Sequence, residues 1–83
     1  MWYVYMLRCS DNSLYTGIAK DVERRLKEHN GSRGASYTRG RRSLKLVYKE
    51  ARPDRSVALR REAEIKRFSK EKKERFVKKA DQA

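Results

Sequence analysis

A strand-like run at the N-terminus, followed at once by a turn, constrains the fold of this chain more than any other feature. The run Trp2–Arg8 is rich in aromatic and β-branched residues and predicts a β-strand. Asp11–Ser13 consists of turn-forming residues, and Leu14–Ile18 then predicts a returning strand. The chain is therefore expected to begin with a β-hairpin. Gly17, near the end of the second strand, predicts a β-bulge or a close approach of another group to the backbone.

The rest of the chain carries helix signals and one further strand. Asp21 can cap a first helix that Gly31 can terminate, and Ser69 can cap a last helix. The elements predicted after the hairpin are a helix over Val22–Asn30, a strand over Leu44–Glu50, a helix from Asp54 or Ser56 to about Phe68, and a helix from Lys70 to about Lys79. The order β-β-α-β-α-α predicts a single small domain of the α+β class.

Composition limits the kind of function to expect. A chain of 83 residues buries only about 60–65% of its unfolded surface, so a site on an open surface is expected rather than an enclosed cavity. The apolar run Trp2–Leu7 is too short for a membrane span or a signal peptide. The single Cys9 excludes an internal disulfide and a zinc framework. The simplest interpretation is a reduced, cytoplasmic setting without a membrane partner.

Positive charge is concentrated in two stretches of the chain. The formal net charge is +12, and residues 33–42 hold four Arg and no acidic residue. Residues 60–79 hold ten basic and four acidic residues. Such runs often form solvated helix faces, but a nucleic acid gains from them by counterion release, and we therefore favour a polyanionic partner. An acidic membrane surface is less favoured, because no helix combines a basic face with a broad hydrophobic one.

Charged residues occupy helix positions that otherwise face the core. In the first predicted helix, Val22 and Leu26 are the expected buried contacts, and Arg25 and His29 share their face of the helix. This spacing carries Arg25 and His29 toward the edge of the buried side. A lone helix histidine is commonly a polar boundary residue, but the i+4 spacing from Arg25 makes His29 a candidate site residue.

Glu62 interrupts an apolar stripe on the second predicted helix, between Leu59 and Ile65. Burying an unpaired charge is expensive, so a residue in this position is expected to be ion-paired or functional. One interpretation is an Arg25–Glu62 pair that fixes the packing of two helices. The other makes Glu62 an oxygen ligand for a divalent cation and Arg25 a phosphate-binding group.

Two tyrosines of the hairpin could add to such a site. Tyr5 and Tyr15 face the same way if the register of the turn is even. Two phenol groups beside a basic helix could position a water molecule or share its proton. For Tyr3 and Tyr48, the favoured interpretation is a strand tyrosine in the core with a satisfied hydroxyl group.

The order of these candidate residues along the chain resembles that of the GIY-YIG nuclease domain. The resemblance covers about residues 2–80 and is greatest to the small standalone members of the family. The resemblance depends on two tripeptides and three later residues: Tyr3–Tyr5, Tyr15–Gly17, Arg25 at the helix arginine, His29 where members carry His or Tyr, and Glu62 at the metal-binding glutamate. Two positions depart from the pattern, since Tyr3 stands in place of the first Gly and Thr16 in place of Ile.

The resemblance implies a three-stranded antiparallel sheet flanked by helices, and a metal-dependent endonuclease. Glu62 would hold one Mg²⁺ or Mn²⁺ ion at the scissile phosphate, and Arg25 would stabilise the same phosphate. Tyr15, helped by Tyr5 or His29, would orient or deprotonate the attacking water, and the residues leave the identity of the base open. Gly17 would have a structural role.

The basic stretches would then bind nucleic acid, with DNA favoured over RNA, by contacts to phosphate that carry little sequence information. The expected contact residues are Tyr37, Thr38, Arg39, Arg41, Arg42, Lys66, Arg67, Lys72 and Lys73. Cleavage would be directed by DNA structure, be weakly specific, or be guided by a protein partner. A role in DNA repair is suggested only by analogy with other members of the family. The alternative function is a basic nucleic-acid-binding module on the same fold that does not cleave.

Overall fold

The predicted hairpin forms the start of the sheet in the structure, a computed structural model that describes residues 1–30 and 44–82. Strand β1 spans Trp2–Arg8 and strand β2 spans Leu14–Ala19. Asn12 in the turn has a φ of 68°, a left-handed conformation that asparagine tolerates. The two strands pair with Tyr5 opposite Gly17 and Leu7 opposite Tyr15. This register puts Tyr5 and Tyr15 on the same face of the sheet, which is the arrangement expected for a turn of even register.

A third strand completes an antiparallel sheet of order β2-β1-β3. Strand β3 spans Lys45–Arg52, two residues beyond its predicted end, because its pairing with β1 continues to Trp2. The bulge suggested at Gly17 is wrong, since the β1–β2 register is regular there. The irregularity lies on the other side of β1, where Met6 and Leu7 pair with Tyr48 and Leu46 and one residue of β3 is left between them.

Three helices follow from local capping signals. Helix α1 spans Val22–Asn30, as predicted, and Oδ1 of Asp21 accepts a hydrogen bond from the backbone N–H of Arg24 at 3.1 Å. Helix α2 spans Arg55–Lys66, and Oδ1 of Asp54 accepts from the N–H of Val57 at 2.9 Å. Of the two predicted caps of α2, Asp54 is therefore the one used. The predicted terminator of α1, Gly31, lies outside the described residues.

The C-terminal helix differs in extent from its prediction. Helix α3 spans Lys70–Gln82, beyond the predicted end near Lys79, and Oγ of Ser69 caps it by accepting from the N–H of Lys72. Helix α2 ends at Lys66 rather than near Phe68, because the backbone tightens there: the N–H of Phe68 bonds to the carbonyl of Ile65. None of the helices in the described part of the chain could cross a membrane.

The helices cover both faces of the sheet and make an α+β fold with three layers. One face carries α1, over a core of six buried residues: Tyr5, Leu7, Cys9, Ala19, Val22 and Leu44. The other face carries α2 and α3, over a core of five: Val4, Met6, Ala58, Ile65 and Val77. The central strand β1 contributes to both cores, which follows from the two-residue side-chain alternation of a strand.

The rotation of α2 about its axis corrects one expectation. Leu59, a member of the apolar stripe in the sequence, is 37% exposed, whereas Ala58 and Ile65 are fully buried. Ala58 is small enough to let the helix approach the sheet closely, and that contact turns Leu59 outward. Glu62 lies four residues after Ala58 and three before Ile65, so it remains on the inner side of α2 with 18% of its side chain exposed.

Candidate active site

The hydroxyl group of Tyr5 lies directly over the backbone of Gly17. A Cβ atom at position 17 would be 2.7 Å from the Tyr5 hydroxyl oxygen and 3.2 Å from Cε2 of Tyr15. Glycine is therefore required here for space, and the close approach predicted at Gly17 is confirmed. The contact brings the phenol of β1 across to the edge strand β2, which carries Tyr15.

Tyr5 and His29 form a buried hydrogen-bonded pair. The Tyr5 hydroxyl oxygen is 3.0 Å from Nε2 of His29, and each residue is 1% exposed. The Tyr15 ring packs edge-on against the imidazole, with centroids 5.1 Å apart. His29 is thus fully enclosed rather than at the edge of the buried side, because Tyr5 supplies the polar partner that its ring needs.

The electrostatic environment keeps both members of this pair neutral near pH 7. Burial, and secondarily the positive charge of Arg25, lowers the pKa of His29 below its usual 6.5. Burial raises the pKa of Tyr5 to about 12, helped by Tyr15 and Glu62 and opposed by Arg25. The imidazole is therefore unprotonated near neutral pH, and the Tyr5 hydroxyl is a poor base.

Arg25 stands at the exposed margin of this cluster. Its side chain is 44% exposed and forms an ion pair with Glu28 at 3.0 Å. Its charge lowers the pKa of both Tyr5 and His29, which puts the guanidinium group beside them. Glu28 was not singled out from the sequence, although its spacing of three residues from Arg25 was the available signal.

Glu62 is the carboxylate that the family resemblance assigns to this site, and it lies on the inner side of α2. Its charge is the weakest of the influences on the pKa of Tyr5. The carboxylate pairs with Lys66, with Oε2 3.5 Å from Nζ, and not with Arg25. The interpretation of an Arg25–Glu62 packing pair is therefore wrong.

A metal site at Glu62 would be a sparse one. The described residues contain no group of three or more His, Cys, Asp or Glu side chains that could hold an ion. One partly exposed carboxylate nevertheless fits Mg²⁺, which keeps several waters and takes only one or two protein oxygens.

The structure places four of the nine expected nucleic-acid contact residues. Lys66 and Lys73 line an open groove together with Leu14, Tyr15 and Thr16, so the groove reaches the candidate site. The ammonium group of Lys72 lies 4.0 Å above the ring of Phe68, and Arg67 is exposed at the end of α2. The other five expected contacts lie outside the described residues: Tyr37, Thr38, Arg39, Arg41 and Arg42.

Thr16 was noted in the sequence only as a departure from the tripeptide. In the structure it is 3% exposed, and its hydroxyl oxygen has no hydrogen-bond partner among the described residues. No pattern in the sequence distinguishes a threonine of this kind from an ordinary strand threonine, because the alternation along β2 permits either.

Comparison with known proteins identifies the family. Residues 1–75 match the model of the GIY-YIG catalytic domain. A UPF0213 protein of Haloquadratum walsbyi is 55% identical over 75 residues, covering 90% of this chain and 84% of that protein. A UPF0213 protein of Staphylococcus saprophyticus is 51% identical over 75 residues, covering 90% and 92%.

A solved structure agrees with this assignment. The solution NMR structure of a UPF0213 protein from Bacillus halodurans is 48% identical, has a TM-score of 0.60, and covers 94% of this chain and 84% of that one. The chain therefore belongs to the GIY-YIG family, which is a nuclease superfamily. Its relatives are the small UPF0213 proteins, as the resemblance in the sequence indicated.

Proposed function

We propose that this chain is a metal-dependent endonuclease that hydrolyses phosphodiester bonds of nucleic acid, with structured DNA favoured over RNA and little sequence specificity. The observation that supports it best is the cluster of four side chains on the α1 face of the sheet: Tyr5, Tyr15, Arg25 and His29. Glu62, on the inner side of α2, adds a carboxylate whose charge affects the pKa of Tyr5. The proposal keeps the cytoplasmic setting expected from the sequence.

The burial of the two phenols supports different roles for them. Tyr5 is 1% exposed and its pKa is about 12, so it acts by holding the imidazole of His29 through their hydrogen bond. Tyr15 is half-buried, so of the two phenols it is the one with exposed surface from which to contact the attacking water. His29 is the neutral group beside both rings that can take up a proton.

The charged groups would act on the phosphate. Arg25 is exposed, permanently charged and beside the phenols, and its planar guanidinium group matches two phosphate oxygens. Glu62 would hold Mg²⁺ or Mn²⁺, and the bound ion supplies positive charge that stabilises negative charge developing on the phosphate. The pair of Glu62 with Lys66 is long and partly exposed, so it would be readily exchanged for an ion.

The test is cleavage of labelled single-stranded, duplex and branched DNA with Mn²⁺, with Mg²⁺ and with EDTA. We expect cleavage that requires the ion and that Glu62→Ala abolishes. The matched control is Glu71→Ala, since Glu71 also forms a pair with the basic residue four positions on, at 3.4 Å, but on the outer face of α3. Glu71→Ala should cleave like the original chain.

Stability separates a chemical role of Glu62 from a packing role. The Glu62–Lys66 pair is long and its lysine is exposed, so it should contribute no more than the roughly 0.3–0.5 kcal/mol of a helix pair, and Glu62→Ala should leave the melting temperature nearly unchanged. A marked fall would assign Glu62 to packing. Tight binding of every substrate with no cleavage under any condition would instead favour the non-catalytic binding module.

A further inference from the structure

The hydroxyl group of Thr16 is a buried polar group without a partner. Thr16 is 3% exposed, and its Oγ1 is the one buried side-chain oxygen or nitrogen in the described part of the chain that lacks a hydrogen bond. A buried hydroxyl left unpaired destabilises a folded protein, so most such groups find a partner. A ligand is one such partner, and the surroundings of Thr16 indicate which kind.

Thr16 lines an open groove with two lysines. The groove has a volume of about 380 Å³ and lies between β2 and the facing sides of α2 and α3. Lys73 forms no ion pair within the described residues, and the pair of Lys66 with Glu62 is long, at 3.5 Å. Two lysines line this groove, and Thr16, which lines it too, carries a buried hydroxyl group. Two ammonium groups and a hydroxyl donor together suit a phosphate group.

The groove is continuous with the candidate active site. Lys66 lines the groove and also pairs with Glu62. Tyr15, whose ring packs against His29 on the other face of the sheet, belongs to the strand that forms one wall of the groove. A nucleic-acid strand whose phosphate lies at Arg25 and Glu62 would therefore continue along the groove.

We propose that this groove binds a backbone phosphate next to the scissile one, held by the ammonium groups of Lys66 and Lys73 and by the hydroxyl group of Thr16. The hydroxyl reaches the groove by rotating about χ1 to another staggered position. Part of the affinity for the strand would thus depend on an uncharged side chain. The inference rests on the proposed function only in that the ligand is a nucleic-acid strand, and it does not require cleavage.

The test is the affinity for a fluorescein-labelled oligothymidylate of about 12 nucleotides, measured by anisotropy in EDTA so that no cleavage occurs. Lys73→Ala is the informative charge variant, because it leaves the Lys66–Glu62 pair intact. Its matched control is Lys78→Ala, which removes the same charge from an exposed position of α3. We expect Lys73→Ala to reduce the slope of log affinity against log salt by about 0.7, and Lys78→Ala to reduce it much less.

Thr16 gives the sharper test, because the change is uncharged. Thr16→Val should weaken binding about tenfold, as expected for a lost hydrogen bond to a charged group, while raising the melting temperature because the unpaired hydroxyl is gone. Thr16→Ser should bind like the original chain. In a ¹⁵N-correlated NMR titration with the same oligonucleotide, the backbone amides of Thr16 and Lys73 should shift together.

Each other outcome has a definite meaning. Equal losses in Lys73→Ala and Lys78→Ala would overturn the proposal in favour of diffuse charge attraction, and an unchanged affinity in Thr16→Val would remove Thr16 from the site. If DNA is cleaved but these variants bind normally, the groove fails and the nuclease stands. If nothing is cleaved but the variants weaken binding as expected, the nuclease fails and the groove stands.

Discussion

At the scale of the residue, burial of the His29 imidazole links stability to pH. Its pKa in the folded chain is below 6.5, mainly because burial disfavours the charged ring. The unfolded chain therefore binds more protons than the folded chain between the folded pKa and about 6.5, so the free energy of unfolding rises with pH there. The stability from this group is fully present above about pH 6.5 and is lost as pH falls below it.

We expect urea denaturation to give a lower free energy of unfolding at about pH 5.5 than at about 7.5. The loss should be smaller in His29→Gln, which has no ring to protonate. Glu74 acts in a separate window: pairing with Arg8 lowers its pKa below 4.5, so its contribution is lost only at more acid pH. An equal loss in His29→Gln over the same interval would exclude His29 as the cause.

Gly17 allows a test of packing at the site. Gly17→Ala would put a Cβ atom 2.7 Å from the Tyr5 hydroxyl oxygen, and Tyr5 is held on its other side by His29. We expect the free energy of unfolding to fall by about 1–3 kcal/mol, the usual effect of overpacking, and cleavage to fall with it. Adding Tyr5→Phe should recover part of the stability, because it removes the nearest atom. A purely additive double variant would contradict this account.

At the scale of the element, capping was predictable and helix rotation was not. Asp21, Asp54 and Ser69 begin their helices as predicted, because a cap depends only on residues within one turn. The outward position of Leu59 and the complete burial of His29 depend on how each helix meets the sheet. Those contacts join distant parts of the chain, and apolar spacing in α2 gives no information on them.

In the candidate site, too, some features were predictable from the sequence and others were not. Tyr5, Tyr15, Arg25, His29 and Glu62 were all named from the sequence, because the family resemblance supplied their order. The ion-pair partners of the two charged residues were not predicted: Arg25 pairs with Glu28, and Glu62 pairs with Lys66. Nor was the unpaired hydroxyl group of Thr16 foreseen. Which group a side chain pairs with depends on where that side chain points once the helices have packed on the sheet.

An ion pair joins α3 to β1, in addition to the apolar contacts of Phe76 and Val77. Arg8 of β1 donates two hydrogen bonds to the Glu74 carboxylate, at 2.5 and 2.6 Å, with both side chains mostly buried. We expect a double-mutant cycle with Arg8→Ala and Glu74→Ala to give a coupling energy of about 1–2 kcal/mol. The pair of Glu71 with Arg75 is the control, since both side chains are more than 70% exposed. Its coupling should be near zero in high salt.

At the scale of the whole molecule, net charge governs the first encounter with a partner. A charge of +12 on 83 residues predicts affinity for nucleic acid that falls steeply with salt. The arginines at 39, 41 and 42 lie outside the described residues, so their contribution is inferred from the sequence alone.

Replacing Arg39, Arg41 and Arg42 together with Ala should weaken binding and reduce the salt slope by about 2 on single-stranded DNA. Replacing Arg75, Lys78 and Lys79 is the matched control, since it removes equal charge from the exposed outer face of α3. If both triple variants bind and respond to salt alike, the stretch 33–42 has no special role.

Helix α1 has only two fully buried side chains, Val22 and His29. The ring that would accept a proton is therefore also one of the two anchors of its helix. An apolar side chain at position 29 would leave the buried Tyr5 hydroxyl without its partner, so the two positions must change together if the core is to gain stability. Directed evolution for heat resistance would be expected to replace His29 and Tyr5 as a pair, whereas selection for turnover would retain both.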